Sequence, residues 1–137
     1  MLSGPISADP GDLTAVLNQA FAWLAGQFDL SRLAVIGHRV VHGGDVFKGP
    51  ARITDRVIAQ IDALARLAPL HQPQSLALIR VMRALYPDVP QTASFDTAFH
   101  ATSPPLMRRF AIPRALYDQG IKRYGFHGLS YRYIAGQ

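Results

Sequence analysis

The sequence predicts an α/β layered domain, and three observations carry that prediction. Segments with apolar residues at three- and four-residue spacing alternate with two short apolar runs rich in β-branched residues, the pattern of helices packed on buried strands. Pro69, Pro73, Pro87 and Gly120 fall at the ends of segments, where they punctuate elements. The 137 residues are 49% apolar, enough for one domain with a real core.

Each element has its own signal. Asp9-Pro10 predicts the first helix start, an N-cap followed by proline at the first helical position. Leu13, Val16, Leu17, Ala20, Phe21, Leu24 and Phe28 then share one face, and the helix is expected to end near Gly26. Arg32 to Val41 reads as a buried strand. Thr54 caps a second helix with Val57, Ile58, Ile61, Leu64, Ala65 and Ala68 inward, closed by Pro69. Pro73 starts a third, with Leu76, Ile79, Met82 and Leu85 inward, stopped by Tyr86-Pro87-Asp88. Val89 to Thr97 reads as the second strand, and Ser103-Pro104-Pro105 interrupts any regular element beyond it. Residues 113–119 predict a short helix closed by Gly120. Ser130 opens a last helix that stops at Gln137. About seven residues make too few turns for stability without tertiary packing, so the chain is expected to be a fragment.

Composition narrows the function classes. No run of ~18 apolar residues predicts a membrane span, and Met-Leu-Ser-Gly-Pro does not read as a signal peptide. The absence of cysteine excludes disulfides and thiolate metal sites and fits a cytosolic protein. The net charge is +5, from 12 arginines and two lysines with no glutamate. The cations are scattered, clustering only as Arg108-Arg109 and Lys122-Arg123. A basic balance of that kind speaks of steering and solubility more than of a nucleic-acid partner.

Four clusters combine polar groups with glycine, proline or apolar neighbours. In Gly37-His38-Arg39-Val40-Val41-His42-Gly43-Gly44, strand alternation puts Arg39 and Val41 on one face and His38, Val40 and His42 on the other. An arginine beside a valine suits a small anion with an apolar tail, since the guanidinium fork takes a carboxylate or phosphate in two parallel bonds. The same arginine is also readable, with somewhat less weight, as the partner of a buried carboxylate. His38 and His42 read as hydrogen-bonded structural histidines, because the motif offers no acidic third metal ligand.

In Ala68-Pro69-Leu70-His71-Gln72-Pro73 the flanking prolines restrict where Leu70 and His71 point, although an ordinary turn between helices has the same look. Phe95-Asp96-Thr97-Ala98-Phe99-His100 ends the second strand, and ligands of open α/β sheets bind outside the carboxyl ends of strands. Asp96 there can orient a nucleophile, take a proton, hold a metal-bound phosphate, or simply close a turn. In Tyr124-Gly125-Phe126-His127-Gly128-Leu129-Ser130, His127 lies just ahead of a helix N-terminus. An anion is favoured there, and a histidine donor can stabilise a transferring phosphoryl group. A structural histidine is the alternative.

Taken in this order, Gly-His-Arg-Val-Val-His-Gly-Gly, Ala-Pro-Leu-His, Phe-Asp-Thr-Ala-Phe-His and Arg-Tyr-Gly-Phe-His-Gly resemble the acetate kinase family, which includes propionate and butyrate kinases. The resemblance spans nearly the whole chain but well under half of a typical member. It implies a partial ribonuclease-H-like domain of the actin and sugar-kinase type, an incomplete sheet with flanking helices. It also implies reversible phosphoryl transfer between ATP and a short-chain carboxylate, giving an acyl phosphate, with Mg²⁺, in a cytoplasmic homodimer. By resemblance Arg39 binds the substrate carboxylate or acyl phosphate, Asp96 is the catalytic aspartate, and His127 stabilises the transferring phosphoryl group. His71 sits close by, and Val41, Leu70 and Phe126 line the pocket for the substrate's methyl group.

Departures from the family pattern shape the expectation further. The family's opening Asn-Ala-Gly-Ser-Ser-Ser strand, its glycine-rich nucleotide loops, a second active-site arginine and a metal-binding glutamate have no counterpart here. Residues 1–137 are therefore expected to form a single partial domain, the central part of the family's N-terminal domain, without the nucleotide-binding domain, without the Mg²⁺ ligands and without turnover on its own. Smaller departures are Asp45 for glutamate, Gln72 for asparagine, and Leu129 and Tyr131 in the Gly-Thr-Ser-His stretch. Two alternatives stand beside this reading: a non-catalytic interaction module, and a basic protein that binds anions or nucleic acid.

Overall fold

The computed structural model describes Asp9 and residues 11–137. Its centre is a three-stranded sheet in the order β1-β3-β2, with β1 at Ile36–Val40, β2 at Ala51–Arg52 and β3 at Gln91–Phe95. The outer strand β1 runs parallel to β3, with Ile36 opposite Gln91 and Val40 opposite Phe95. On the other side β2 is antiparallel, with Ala51 opposite Ala93. Both predicted strands exist but are shorter than expected: a 3₁₀ turn, Leu30–Arg32, precedes β1, and another, Asp96–His100, follows β3. The two-residue β2 carries no periodic signal, and the sequence reading missed it.

Two helices on the path from β2 to β3 supply the core. Helix α2 spans Asp55–Ala63, capped by Thr54, whose hydroxyl accepts from the Val57 N–H. It gives way to a 3₁₀ turn at Ala65–Leu67, so it ends several residues before Pro69. Helix α3 spans Gln72–Leu85 with Pro73 in its first turn. Ile61 of α2 and Leu76 and Ile79 of α3 meet Val40, Phe47, Ile53, Ala93 and Phe95 in one buried cluster. The Phe47 and Phe95 rings stack at 4.1 Å between centroids, 9° from parallel. Burying a side chain of this size contributes about 1.5–3 kcal/mol, so this cluster dominates the stability of the fold.

The first helix, α1, spans Leu13–Ala25 and starts three residues later than predicted. Asp12 is the cap, accepting from the Ala15 N–H; Pro10 lies outside the described residues. Its apolar face is only half-buried, with Phe21 against Tyr86 of the turn after α3, and Phe28, beyond the helix end, is exposed. The C-terminal part of the chain holds a 3₁₀ turn at Pro105–Arg108, α4 at Arg114–Asp118 and α5 at Gly128–Ala135. Gly120 ends the α4 turn at φ +91°, as its position predicts. Helix α5 begins two residues before Ser130. Among the described residues no helix is long and apolar enough to cross a membrane.

Candidate functional site

The pairing of β1 with β3 decides the centre of the site. With Val40 opposite Phe95, Arg39 and Asp96 end up side by side at the carboxyl ends of two parallel strands. Arg39 Nη2 donates to Asp96 Oδ2 at 2.6 Å, and its Nε reaches both carboxylate oxygens at 3.2–3.3 Å. The carboxylate is 1% exposed and the arginine side chain 56%. Of the two sequence readings of Arg39, this arrangement shows the partner of a buried carboxylate. Two of its nitrogens hold a buried carboxylate, while Nη1 bonds no described residue. The Asp96 hydrogen bond and charge raise the arginine above its usual pKa, and burial opposes them only weakly.

All seven residues singled out in the sequence line one cavity of about 530 Å³: Arg39, Val41, Leu70, His71, Asp96, Phe126 and His127, with Leu67, Ala68 and Pro69 completing the wall. That is a size suited to a small organic ligand. Strand alternation is as predicted, since His38 and Val40 are buried while Arg39 is not. The wall is unevenly built. Leu70 is 77% and Phe126 38% exposed, and His71 and His127 are exposed as well, so the apolar rim lies open to solvent. His127 occupies the cap position of α5 at φ +54° and makes no capping bond, which leaves its ring free to face the cavity.

Three buried groups outside the predicted site, Gln72, Thr97 and His42, hold this wall in place. Gln72, which stands where the family has asparagine, lies inside the helix, and His71 takes the cap position. The fully buried Gln72 amide instead donates to the His42 and Ile61 carbonyls at 2.9 and 3.4 Å and accepts from the His42 N–H at 3.3 Å. It ties the end of β1 to α2 and α3. The Thr97 hydroxyl accepts from the Gly43 N–H at 2.8 Å. His42 Nδ1 accepts from the Gly44 N–H at 3.0 Å, and its ring meets Tyr124 and Phe126 edge-on. Burial lowers the His42 pKa, with Asp45 pulling the other way. His38 bonds Gln91 at 2.8 Å, so both histidines of the motif are structural, as expected. No local signal marks Gln72 for this role, because its partners lie 30 and 11 residues away in the chain.

Phe126 and His127 reach the cavity by a polar route. Asp45 binds Arg108 at 2.6 Å and Lys122, and accepts from the Tyr124 hydroxyl at 3.3 Å. Burial works to raise the Asp45 pKa, but the Lys122 and Arg108 contacts prevail and lower it; Tyr124 is raised, by burial first and Asp45 second. His100 Nε2 donates to the Phe126 carbonyl at 3.0 Å. Gly128 rests on the backbone of Asp96, where an added Cβ would collide with the Asp96 carbonyl. Helix α5 is thereby docked directly on the residue at the centre of the site.

The Mg²⁺ implied by the resemblance finds no fitting donor set. Among the described residues no three of His, Cys, Asp or Glu converge. The cavity offers one carboxylate, already bonded to Arg39, and imidazoles, whereas Mg²⁺ calls for oxygen ligands in octahedral order.

The fold and this cavity define an α/β domain of the actin and sugar-kinase type, with its polar groups gathered outside the carboxyl ends of its parallel strands. The chain belongs to the acetokinase family, whose sequence pattern matches residues 5–137. It is 50% identical to an acetate kinase of Rhodopseudomonas palustris over 133 residues, which are 97% of this chain and 33% of that protein. An acetate kinase of Rhizobium meliloti is 48% identical over 90% of the chain and 31% of its own length. Among solved structures, a propionate kinase from Francisella tularensis superposes with a TM-score of 0.88 at 37% identity, covering 95% of this chain and 34% of that one. The acetate kinase of Porphyromonas gingivalis gives 0.81 at 34% identity, covering 94% and 34%. The chain therefore spans about a third of the length of the relatives it matches.

Proposed function

We propose that this chain is the acyl-substrate side of an acetate kinase-type phosphotransferase, which exchanges a phosphoryl group between ATP and a short-chain carboxylate such as acetate. The observation that carries this reading is the common cavity: seven residues from four separated motifs line a single space. In the reaction a carboxylate oxygen of the acid attacks the terminal phosphorus of ATP, and the bond to the leaving ADP oxygen breaks. Such chemistry asks a protein mainly for positioning and charge stabilisation.

Each residue then has a role within reach of its atoms. The remaining Nη1 of Arg39 takes the carboxylate or acyl phosphate, while Asp96 holds the rest of the fork and presents its carboxylate beside the reacting group. His127 donates to the transferring phosphoryl oxygens, with His71 close to the same anion. Val41, Leu70 and Phe126 receive the methyl group. In the family Mg²⁺ supplies charge neutralisation on the phosphates. ATP and Mg²⁺ would be bound by parts of the family's fold that these residues do not build, so the purified chain is expected to bind but not to turn over.

Two measurements test the reading. Acetyl phosphate should bind saturably to the purified chain and lose that binding in Arg39→Ala; undiminished binding in the variant would refute the assignment of Arg39. A hydroxamate assay with acetate, ATP and Mg²⁺ should yield no acetyl phosphate from this chain, and any Mg²⁺-dependent product would overturn the expectation of inactivity. The alternative of a basic nucleic-acid-binding protein calls for affinity that grows with polymer length and falls steeply with salt.

A further inference from the structure

On the far side of the turn Asp96–His100 lies a second cavity of about 290 Å³, which shares no lining residue with the first. Its walls are unlike those of the substrate cavity. Lys48, Arg108 and Arg123 contribute three cations against one carboxylate, Asp45. That carboxylate is already engaged by Arg108 and by Lys122 from outside the lining. Arg123 spends Nε and Nη2 on the Met107 carbonyl and keeps Nη1. Lys48 forms no ion pair among the described residues, although its neighbour Phe47 is anchored in the core. Uncharged donors stand beside the cations: the Ser103 hydroxyl, and the Thr97 hydroxyl, whose oxygen accepts from Gly43 and whose proton remains available.

A cavity with surplus cations, spare N–H groups and hydroxyl donors, and only one compensated acid, favours a small anion carrying more than one negative charge. We propose that this second cavity binds a small dianion of the phosphate class. The site is not the substrate cavity under another name, but the two are mechanically close. Thr97 follows Asp96 in the chain, and Gly125 precedes Phe126. His100, on the wall of the second cavity, donates its Nε2 proton to the Phe126 carbonyl at 3.0 Å. Gly125 packs so tightly on the His100 ring that an added Cβ would overlap it. An ion against His100 therefore acts on the same short stretch that carries Phe126 and His127 into the first cavity.

The test uses inorganic phosphate and the purified chain, followed through the imidazole signals of the five histidines by NMR at constant pH and ionic strength. The His100 signal should shift saturably with phosphate in the unaltered chain and in Arg39→Ala alike. Affinity should fall roughly two- to fivefold in Lys48→Ala and in Arg123→Gln, the loss expected for one partly exposed charged contact. Circular dichroism checks that both variants remain folded, and Lys48 is the safer of the two, since Arg123 also holds the Met107 carbonyl. The proposal is overturned if the His100 signal does not saturate, or if the shift disappears in Arg39→Ala yet persists in Lys48→Ala and Arg123→Gln. The latter result would put the ion in the substrate cavity, and would leave the role of Arg39 intact.

Discussion

The two halves of the molecule are held together by different physics. Between Val40 and Phe95 the chain buries a continuous apolar cluster from β1, β3, α2 and α3. From Ala101 onward Gly128 alone is buried among the described residues. That second region is fastened by Asp45 with its two cations, by Arg123 on the Met107 carbonyl, by His100 on Phe126 and by Gly128 on Asp96. The candidate site draws on both. Arg39 and Asp96 belong to the apolar half, Phe126 and His127 to the polar one. A core-anchored central pair thus coexists with a wall whose attachment depends on polar and backbone contacts.

The largest expected effect breaks the apolar half. Phe95→Ala removes the ring stacked on Phe47 and should cost about 3–5 kcal/mol, read as a lower urea midpoint in circular dichroism. Both halves should unfold together, because β3 carries the turn on which α5 rests. An unchanged midpoint would mean that the cluster is not the seat of stability.

Next comes the joint between the halves. Arg39→Ala leaves the buried Asp96 carboxylate without its charged partner and should cost about 1–3 kcal/mol while removing acetyl phosphate binding. Arg39→Lys should recover part of the stability but little of the binding, since an ammonium cannot reproduce the fork.

Asp45→Asn loosens only the polar half, by about 1 kcal/mol or less, because its partners are partly exposed to solvent. Limited proteolysis should find new cuts between residues 104 and 124, with the core cluster still protected. The same group sets an acid limit. Its folded pKa is lowered, so its stabilising contribution is present above the ordinary carboxylate value near 3.8 and is lost as pH falls through the folded value. That acid slope should vanish in Asp45→Asn.

The smallest effect belongs to His42, which sits against both regions. Its pKa is lowered by burial, so the unfolded chain takes up a proton before the folded one does. Its contribution is intact above about 6.5 and declines as pH drops below that value. Stability measured against pH in Asp45→Asn should retain this slope. If it disappears with Asp45, the imidazole is not the group responsible.

The sequence by itself determined the helices of the apolar half, the two long strands and the face on which Arg39 and Val41 lie. These arise from local rules: a 3.6-residue period and a threonine cap for α2, a proline in the first turn of α3, and strict alternation along β1. It also made the four motifs legible, because each packs its polar groups into a few consecutive residues. Tertiary structure decided the rest. The two-residue β2 exists only because β3 pairs with it, and α1 is capped by Asp12 rather than by the predicted Asp9. The meeting of Arg39 with Asp96 depends on a parallel register between strands some fifty residues apart. Gln72 as an anchor and Asp45 as a clamp depend on partners 30 and 63 residues away. Periodicity reports which way a side chain faces within its own element; which distant group it meets is set by how elements pack, and no local pattern encodes that.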